Sequence, residues 1–477
     1  MAPYETQFSD HHMLLKPEHA SLCDLVRFLL FSTSETSNIH YTKERKEDFW
    51  RRWYIFNSLF AQKLLLSWGK PMVQVGYKLE LWLNLLPQNG GFLMLLSNFL
   101  KGNVVWPDSS SATFTSVVGN LDQRKELDKN IRPENPKYNG SLAMMASKLA
   151  YENEAFVQTT IKDQWGMEYL GFYNFWNDYM GKVSTQAMMF QDTRVQPNLL
   201  VVAFRGTSPF DPVAWQTDVD LSWFKLEGVG KIHGGFFKAL GLQKGKGWPK
   251  EIQQGSKQPQ YAYYVIRQRL REILEKNESA KFILTGHSLG GALAILFVTV
   301  LAMHEEELLL NRLEGVYTFG QPRVGDKQLG DYMKEKLKEY NVRHLRYVYC
   351  NDLVPRIPYD DENDLFFEHW GPSLYYNSFY KGKVELEPNK NYFALLWVIP
   401  KCVNAVWELV RSFIIPYIKG PDYKESWLMK MIRVAGLVFP GFAAHCPQDY
   451  VNATRLGSLA LDGLQNPIHQ RDSKVVD

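Results

Sequence analysis

A serine set among glycines, between an apolar strand and an apolar helix, constrains the fold more than any other part of this sequence. Residues 284–291 read Leu-Thr-Gly-His-Ser-Leu-Gly-Gly, so that Ser288 lies between Gly286 and Gly290. The residues just before this stretch are typical of a buried strand, and residues 292–303 are typical of a buried helix. A strand that turns directly into a helix strains the residue at the turn and leaves room only for very small neighbours. The pattern therefore predicts a sharp strand–turn–helix unit with Ser288 at its apex.

The alternation of strand and helix continues over the middle of the chain. Apolar runs typical of buried strands alternate with stretches of helical periodicity. The predicted strands are residues 199–204, 282–285, 315–319 and 345–349, and the predicted helices are residues 261–276, 292–303 and 327–340. Apolar strands joined through helices indicate a mostly parallel sheet with helices on both faces, which is an α/β fold.

Two long apolar regions do not follow this alternation of strands and helices. We use them to divide the chain into predicted parts. We predict an N-terminal helical and apolar extension (1–135), a globular α/β unit (136–465) with an insertion (373–440), and a polar tail (466–477). Within the extension, residues 107–135 are polar and are predicted to be a linker.

The first apolar region carries no charged residue between Leu81 and Leu100. Two apolar arms, residues 79–86 and 92–100, flank a Pro-Gln-Asn-Gly-Gly turn signal at residues 87–91. Each arm is shorter than the roughly 20 apolar residues that cross a bilayer. We therefore predict that the arms contact a lipid monolayer, either as a hairpin or lying flat on it. The alternative is an ordinary pair of helices packed on the body of the protein.

The second apolar region, residues 392–418, contains Pro400 and Pro416. These prolines are predicted to interrupt it, which argues against a single membrane-spanning helix. Its apolar side chains are either buried or part of a membrane-facing surface, and the sequence leaves both possibilities open.

Composition and charge exclude several classes of function. The net charge of +3 gives no electrostatic footprint for nucleic acid. The four cysteines are widely spread and show neither metal-ligand spacing nor a disulfide framework. The N-terminal residues lack a secretory pattern, so we expect an intracellular, reduced protein that is not secreted.

The chemistry expected of Ser288 directs the search for its partners. A serine hydroxyl becomes a useful nucleophile when a histidine takes its proton and a carboxylate orients that histidine. In folds with this turn, the chain order is serine, acid, histidine. Asp352 follows the predicted strand 345–349 and is expected at the same rim of the sheet as Ser288. Asp326 is the rival, but its position favours the N-cap of a helix.

Three histidines follow Asp352 and are candidates for the base. His469 lies in the polar tail and is expected to be solvated. His445 follows a glycine and small residues, in a loop that can fold over the edge of the sheet. We favour His445, and His369 remains an alternative on the residues alone.

An ester hydrolase also needs donors for the negative charge that develops on the carbonyl oxygen. One donor is predicted to be the backbone N–H of Leu289, the residue after the nucleophile. The second is predicted in the loop after strand 199–204, where Thr207 offers its N–H and its hydroxyl. The apolar segment at residues 209–215, beside Thr207, is a candidate lid, and a core-packed loop is the alternative.

These motifs together resemble the class 3 lipases, a branch of the α/β-hydrolases. The resemblance is carried by residues 205–208 (Arg-Gly-Thr-Ser), 233–236 (His-Gly-Gly-Phe), 286–291, 322–325 (Pro-Arg-Val-Gly) and 351–355 (Asn-Asp-Leu-Val-Pro). It implies an α/β-hydrolase fold with Ser288 as nucleophile, Asp352 as acid and His445 as base, and with Thr207 and Leu289 in the oxyanion hole. It also makes His369 a structural residue.

The added segments make the chain most similar to plant oil-body-associated triacylglycerol lipases. That resemblance implies hydrolysis of triacylglycerol, without metal or cofactor, by a protein that lies peripherally or monotopically on lipid droplets. A phospholipid or galactolipid acyl hydrolase is the alternative function. A non-catalytic scaffold on a lipid surface is the second alternative.

Overall fold

The computed structural model describes residues 9, 11–31, 39–41, 49–252, 258–358, 367–388 and 392–458. Its strands are β1 His11–Leu15, β2 Ile39–Tyr41, β3 Glu168–Asn177, β4 Lys182–Asp192, β5 Leu199–Phe204, β6 Trp223–Leu226, β7 Gly230–His233, β8 Lys281–His287, β9 Leu313–Phe319, β10 Arg343–Tyr349, β11 Ser373–Tyr376 and β12 Gly382–Glu385. The predicted polar tail and His469 lie outside the described residues.

The helices surround these strands along the whole chain. They are α1 Leu22–Phe31, α2 Phe49–Gln88, α3 Phe92–Leu100, α4 Val117–Leu121, α5 Tyr138–Leu149, α6 Glu154–Thr159, α7 Pro212–Val219, α8 Gly234–Leu240, α9 Ala262–Lys276, α10 Leu289–Met303, α11 Glu307–Arg312, α12 Lys327–Glu339, α13 Val398–Lys419, α14 Trp427–Gly436 and α15 Pro447–Leu456. None of the helices among the described residues combines the length and apolar character that crossing a bilayer requires.

The central sheet has eight strands in the order β12-β11-β10-β9-β8-β5-β4-β3. Its five middle strands, from β11 to β5, run parallel, and the outer strands on both sides pair antiparallel. The predicted α/β-hydrolase fold with a mostly parallel sheet is confirmed. All the predicted strands and helices of this unit form, with ends that differ by up to three residues.

Alternation of side chains along the parallel strands builds one core on each face of the sheet. In β8, Phe282 and Leu284 belong to the core that contains α10, whereas Ile283 belongs to the core that contains α5 and α15. Successive residues of a strand point to opposite faces, so an unbroken apolar run buries both. The sheet is therefore fixed from both sides, and its carboxyl edge is a rigid base for a site.

The N-terminal segment is joined to the α/β unit by a second, small sheet of order β2-β1-β6-β7. Strand β1 pairs antiparallel with β6, so residues 11–13 lie against residues 223–225. Helix α2 then runs for 40 residues along the outside of the molecule. The first predicted apolar arm is the last part of this helix, and α3 is the second arm. Gly90 and Gly91 form the turn between them, with φ of 75° and 98°.

Two of our predictions about the apolar and polar stretches were wrong. The predicted linker contains α4, whose five residues are all buried. Polar residues of this stretch form turns and helix caps. Ser116, for example, caps α4 by accepting a hydrogen bond from the Gly119 N–H. Pro400 and Pro416 do not interrupt the second apolar region, since α13 continues through both. Pro400 lies in the first turn, where its missing N–H has no partner within the helix, and Pro416 lies in the last turn, where it removes one backbone hydrogen bond.

Candidate active site

The turn that carries Ser288 is as sharp as its glycines predict. Ser288 has φ 57° and ψ −128°, between the end of β8 and the start of α10. A Cβ atom on Gly286 would overlap the backbone of Gly290, and one on Gly290 would overlap the carbonyl oxygen of Phe204. Both glycines are therefore required for β8 to turn directly into α10.

Three of the predicted site residues meet at the carboxyl edge of the sheet. The His445 Nε2 atom lies 2.9 Å from the Ser288 Oγ atom, and His445 Nδ1 lies 2.8 Å from an oxygen of Asp352. Asp352 follows β10, and His445 lies in a short turn just before α15. With the Nδ1 proton donated to Asp352, Nε2 is the acceptor for the serine proton.

The Asp352 carboxylate is fully buried and holds two further hydrogen bonds. The Val354 N–H donates to Oδ1 at 2.9 Å, and the Tyr450 hydroxyl donates to Oδ2, the oxygen that also faces His445. Burial, and then the neighbouring Asp352, raise the pKa of Tyr450 well above its usual value, so it stays a donor. Sequence reasoning missed Tyr450, because nothing in the primary order marks a tyrosine on α15 as a neighbour of Asp352.

The rival residues occupy structural positions. Asp326 caps α12, as predicted, by accepting the Leu329 N–H at 3.0 Å. The His369 Nε2 atom lies 2.7 Å from the Pro355 carbonyl oxygen. Burial holds the pKa of His369 well below its usual value, so the ring is neutral and donates this bond.

A second histidine supports the base from the neighbouring position in the turn. His287 Nε2 lies 2.8 Å from the backbone carbonyl oxygen of His445, and its Nδ1 lies 2.9 Å from the Tyr151 hydroxyl. Burial, and then the charge of His445, hold the pKa of His287 well below its usual value. A neutral His287 therefore accepts from Tyr151 and donates to the loop that carries His445. The sequence places His287 inside the motif but does not reveal this contact.

The loop with Thr207 packs directly against the turn of Ser288. A Cβ atom on Gly206 would overlap the His287 carbonyl oxygen, so only glycine allows this approach. The Thr207 hydroxyl donates to the Asp218 carboxyl group at 2.6 Å. Of the two donors expected from Thr207, the hydroxyl is thus directed at Asp218, and the backbone N–H remains. Burial raises the pKa of Asp218 to about 7, against the opposing effect of the Thr207 bond.

The segment predicted as a lid lies under the long helix α2. Asp211 caps α7, and Arg205 pairs with Asp211 at 2.9 Å. A Cβ atom on Gly76 would overlap the ring of Phe210, and one on Gly69 would lie 3.4 Å from Pro212. Further along α2, Ser58 donates to the Val219 carbonyl oxygen. Helix α2 therefore covers α7 along its length, while Ser288 beneath is only 7% exposed.

Among the residues that the structure describes, no three histidine, cysteine or carboxylate side chains are grouped closely enough to hold a metal ion. The arrangement of Ser288, His445 and Asp352 can remove a proton from a hydroxyl, stabilise the resulting imidazolium and return the proton to a leaving group.

Known proteins resemble this chain both over a segment and over nearly its full length. The sequence model of the family described as "Lipase (class 3)" matches residues 201–362. A protein named triacylglycerol lipase OBL1 from Nicotiana tabacum is 39% identical over 93% of this chain and 94% of its own length. Its namesake from Arabidopsis thaliana is 39% identical over 94% and 95%. A solved structure of the native Rhizomucor miehei lipase propeptide complex is 19% identical, with a TM-score of 0.38 over 59% of this chain and 87% of that one.

Proposed function

This chain belongs to the class 3 lipase family, and on that premise we propose that it hydrolyses triacylglycerol at the surface of lipid droplets. The observation that carries the proposal is the continuous path of hydrogen bonds from Ser288 through His445 to Asp352. The substrate class is inferred from relatives named triacylglycerol lipases that match over nearly the whole chain.

In the proposed reaction, Ser288 Oγ attacks the carbonyl carbon of an acyl ester while His445 Nε2 takes the hydroxyl proton. Asp352 stabilises the imidazolium that forms. The N–H groups of Leu289 and Thr207 bind the developing oxyanion, each contributing about 3 kcal/mol to stabilisation of the transition state. His445 then gives the proton to the departing glycerol alkoxide, and the same histidine activates the water that releases the fatty acid.

The N-terminal extension carries the apolar side chains that we expect to contact lipid. Helix α3 has no buried residue, and Leu93 and Leu100 are about four-fifths exposed. Exposed apolar side chains on this scale are unusual on a protein surface that faces only water. We infer that residues 1–135 associate the enzyme peripherally or monotopically with droplets, with α3 lying in the lipid.

Replacing the nucleophile tests the catalytic part of this proposal. Ser288→Ala is expected to lower hydrolysis of emulsified triacylglycerol by at least about 10,000-fold, because the variant lacks the attacking hydroxyl. Binding to droplets should survive. Ser279→Ala, at an exposed serine, is the matched control and should retain full activity. Full activity of Ser288→Ala would refute the assignment.

Two further measurements separate the alternatives. Emulsified triacylglycerol, phosphatidylcholine and a galactolipid, assayed side by side, should show the fastest hydrolysis for triacylglycerol. A serine-directed phosphonate should label the parental chain and not Ser288→Ala. A chain that takes no label and cleaves no ester is a scaffold on a lipid surface rather than an enzyme.

A further inference from the structure

Helix α13 is amphipathic with its faces reversed. The side chains that it buries include Glu408, Arg411 and Ser412. Between Lys401 and Lys419, its exposed side chains are apolar or aromatic, among them Val403, Val406, Val410, Phe413, Tyr417 and Ile418. A helix on a surface that faces water normally turns its charged side chains outward. The reversed pattern indicates that this face of α13 meets an apolar environment.

The buried charges fix α13 in this orientation. Arg411 pairs with Asp449 of α15 at 2.6 Å, and Arg433 of α14 pairs with Asp449 at 3.1 Å and with Glu425 at 2.7 Å. The Glu408 carboxyl accepts from Tyr349 of β10 at 3.0 Å. Rotating α13 to bury its apolar face would break these bonds inside the protein, where unpaired charges are costly. The outward apolar face is therefore built into the fold.

The same surface continues onto α14 and the loop that leads to His445. Exposed side chains there are Trp427, Met431, Val434, Val438, Phe439 and Phe442. Phe442 is three residues before His445, and Leu353, which is also partly exposed, directly follows Asp352. Just before α13, the Tyr392 hydroxyl donates to the Asn351 carbonyl oxygen at 3.0 Å. The apolar surface thus adjoins the loops that carry two members of the triad.

Charge on this surface is confined to its rim and is mainly positive. Within residues 402–418 the only charged side chains are Glu408 and Arg411, and both are buried. Beyond them lie Lys419, Lys424 and Lys430, with Asp422 as the only exposed carboxylate among residues 412–439. An apolar face with lysines at its edge suits a phospholipid layer, whose phosphates lie above acyl chains.

We propose that the outward side of α13 and α14, with residues 438–442, is a docking face for the phospholipid monolayer that covers a neutral lipid core. This inference rests on the proposed function, because a water-insoluble ester must reach the buried Ser288 from the lipid phase. The face lies on other elements than α3, and it adjoins α2, where the Trp82 ring meets the Trp427 ring edge to face with 5.6 Å between the centroids. Docking through this face turns the loops of Asp352 and His445 toward the lipid.

The test removes three outward side chains that lie one above another on α13. The triple variant Val403→Gln, Val410→Gln, Tyr417→Gln keeps good helix formers at exposed positions. We expect its binding to triolein droplets coated with phosphatidylcholine, measured by flotation, to fall at least about tenfold. Its hydrolysis of dissolved p-nitrophenyl butyrate should stay within about twofold of the parental rate, because the inner face of α13 is unchanged.

Matched controls separate this face from a general loss of apolar surface. Val183→Gln removes an exposed valine from β4, which lies toward the opposite edge of the sheet from the β11–β12 turn that α13 contacts, and should bind droplets normally. Adding phosphatidylserine to the droplet coat should strengthen binding of the parental chain, because its charge attracts the lysines at the rim. The double variant Lys419→Gln, Lys424→Gln should lose this gain.

Unchanged flotation of the triple variant would overturn the proposal. A parental dimer that the triple substitution converts to monomer, with droplet binding intact, would also overturn it and identify the face as a contact between two copies of the chain. Failure of the parental chain to cleave any ester would instead refute the proposed function, since flotation is read independently of hydrolysis.

Discussion

Helices α10 and α13 are both rich in apolar residues, and the protein uses them in opposite ways. In α10 every residue from Leu289 to Ala302 is buried between the sheet and its neighbours. In α13 the apolar face is exposed, and the buried face carries Glu408, Arg411 and Ser412. The first helix is held by apolar packing, and the second by a network of buried charges. Apolar content alone therefore does not distinguish a core helix from one that faces lipid.

The difference has a structural logic. Helix α10 carries the strained turn of Ser288 and must not move, and close packing of apolar side chains resists displacement. Helix α13 presents its apolar side chains outward and so cannot use them for attachment. Its attachment falls to paired charges, which also connect it to α15 and hence to Tyr450 beside Asp352.

The strongest test of this contrast removes a buried charge that pairs α14 with α15. Arg433→Leu removes the arginine partner of the Glu425 carboxylate and leaves Asp449 paired with Arg411 alone. We expect the free energy of unfolding to fall by about 3–5 kcal/mol, as measured by chemical denaturation. Lys424→Leu, at an exposed lysine nearby, should change it by less than about 0.5 kcal/mol. Equal effects of the two variants would mean that the charges do not hold α13 and α14.

The sequence was sufficient for the central unit because its signals are local. The strand–turn–helix pattern at Ser288 and the apolar strands predicted the α/β-hydrolase fold and the class 3 lipase resemblance, and both are confirmed. The choice of Asp352 also needed the rule on the chain order of the three residues, and the choice of His445 over His369 needed the family resemblance. Asp352 and His445 lie in contact with one another, and their catalytic roles stay predictions.

Features that depend on distant segments were beyond the sequence. Tyr450 and Tyr151 reach the site only because α15 and α5 pack against the sheet. The cover of α2 over α7 depends on Gly69 and Gly76, which have no local signature. The predicted linker failed because α4 is short and polar in its flanks, although its residues are buried.

Two carboxyl groups beside α4 also predict that the stability of the protein depends on pH, which the apolar packing of α10 does not predict. Glu80 of α2 accepts the Val117 N–H, and Glu152 accepts the Ser116 N–H at 2.8 Å. Burial raises the pKa of Glu152 to about 7. The folded chain therefore holds a proton that the unfolded chain loses near pH 4.5, so stability falls as the pH rises from there to about 7 and remains lower above it.

Glu152→Gln removes this titration and should be more stable than the parental chain at pH 8, by up to about 3 kcal/mol. The advantage should shrink toward zero near pH 4, because the parental carboxyl is then protonated in both states. Denaturation at a series of pH values measures it, with Glu278→Gln at an exposed carboxylate as the control. A difference that is constant across this range would contradict the assignment.

The mildest test applies one substitution to both helices. Valine and threonine have nearly the same shape, so Val→Thr exchanges a methyl for a hydroxyl and reports what surrounds the side chain. Val300 of α10 is fully buried, whereas Val406 of α13 is half exposed. In α10 the hydroxyl enters an apolar core, and Val300→Thr should lower the free energy of unfolding by about 1–2 kcal/mol.

In α13 the hydroxyl of Val406→Thr should remain in water in the isolated protein, with a change below about 0.5 kcal/mol. The comparison then reverses on lipid. Once droplets cover α13, the same hydroxyl must leave water, so Val406→Thr should weaken flotation slightly while Val300→Thr leaves it unchanged at temperatures where both variants are folded. If Val406→Thr destabilises the lipid-free protein as much as Val300→Thr does, the outward face of α13 is already covered in solution, and the contrast between the two helices disappears.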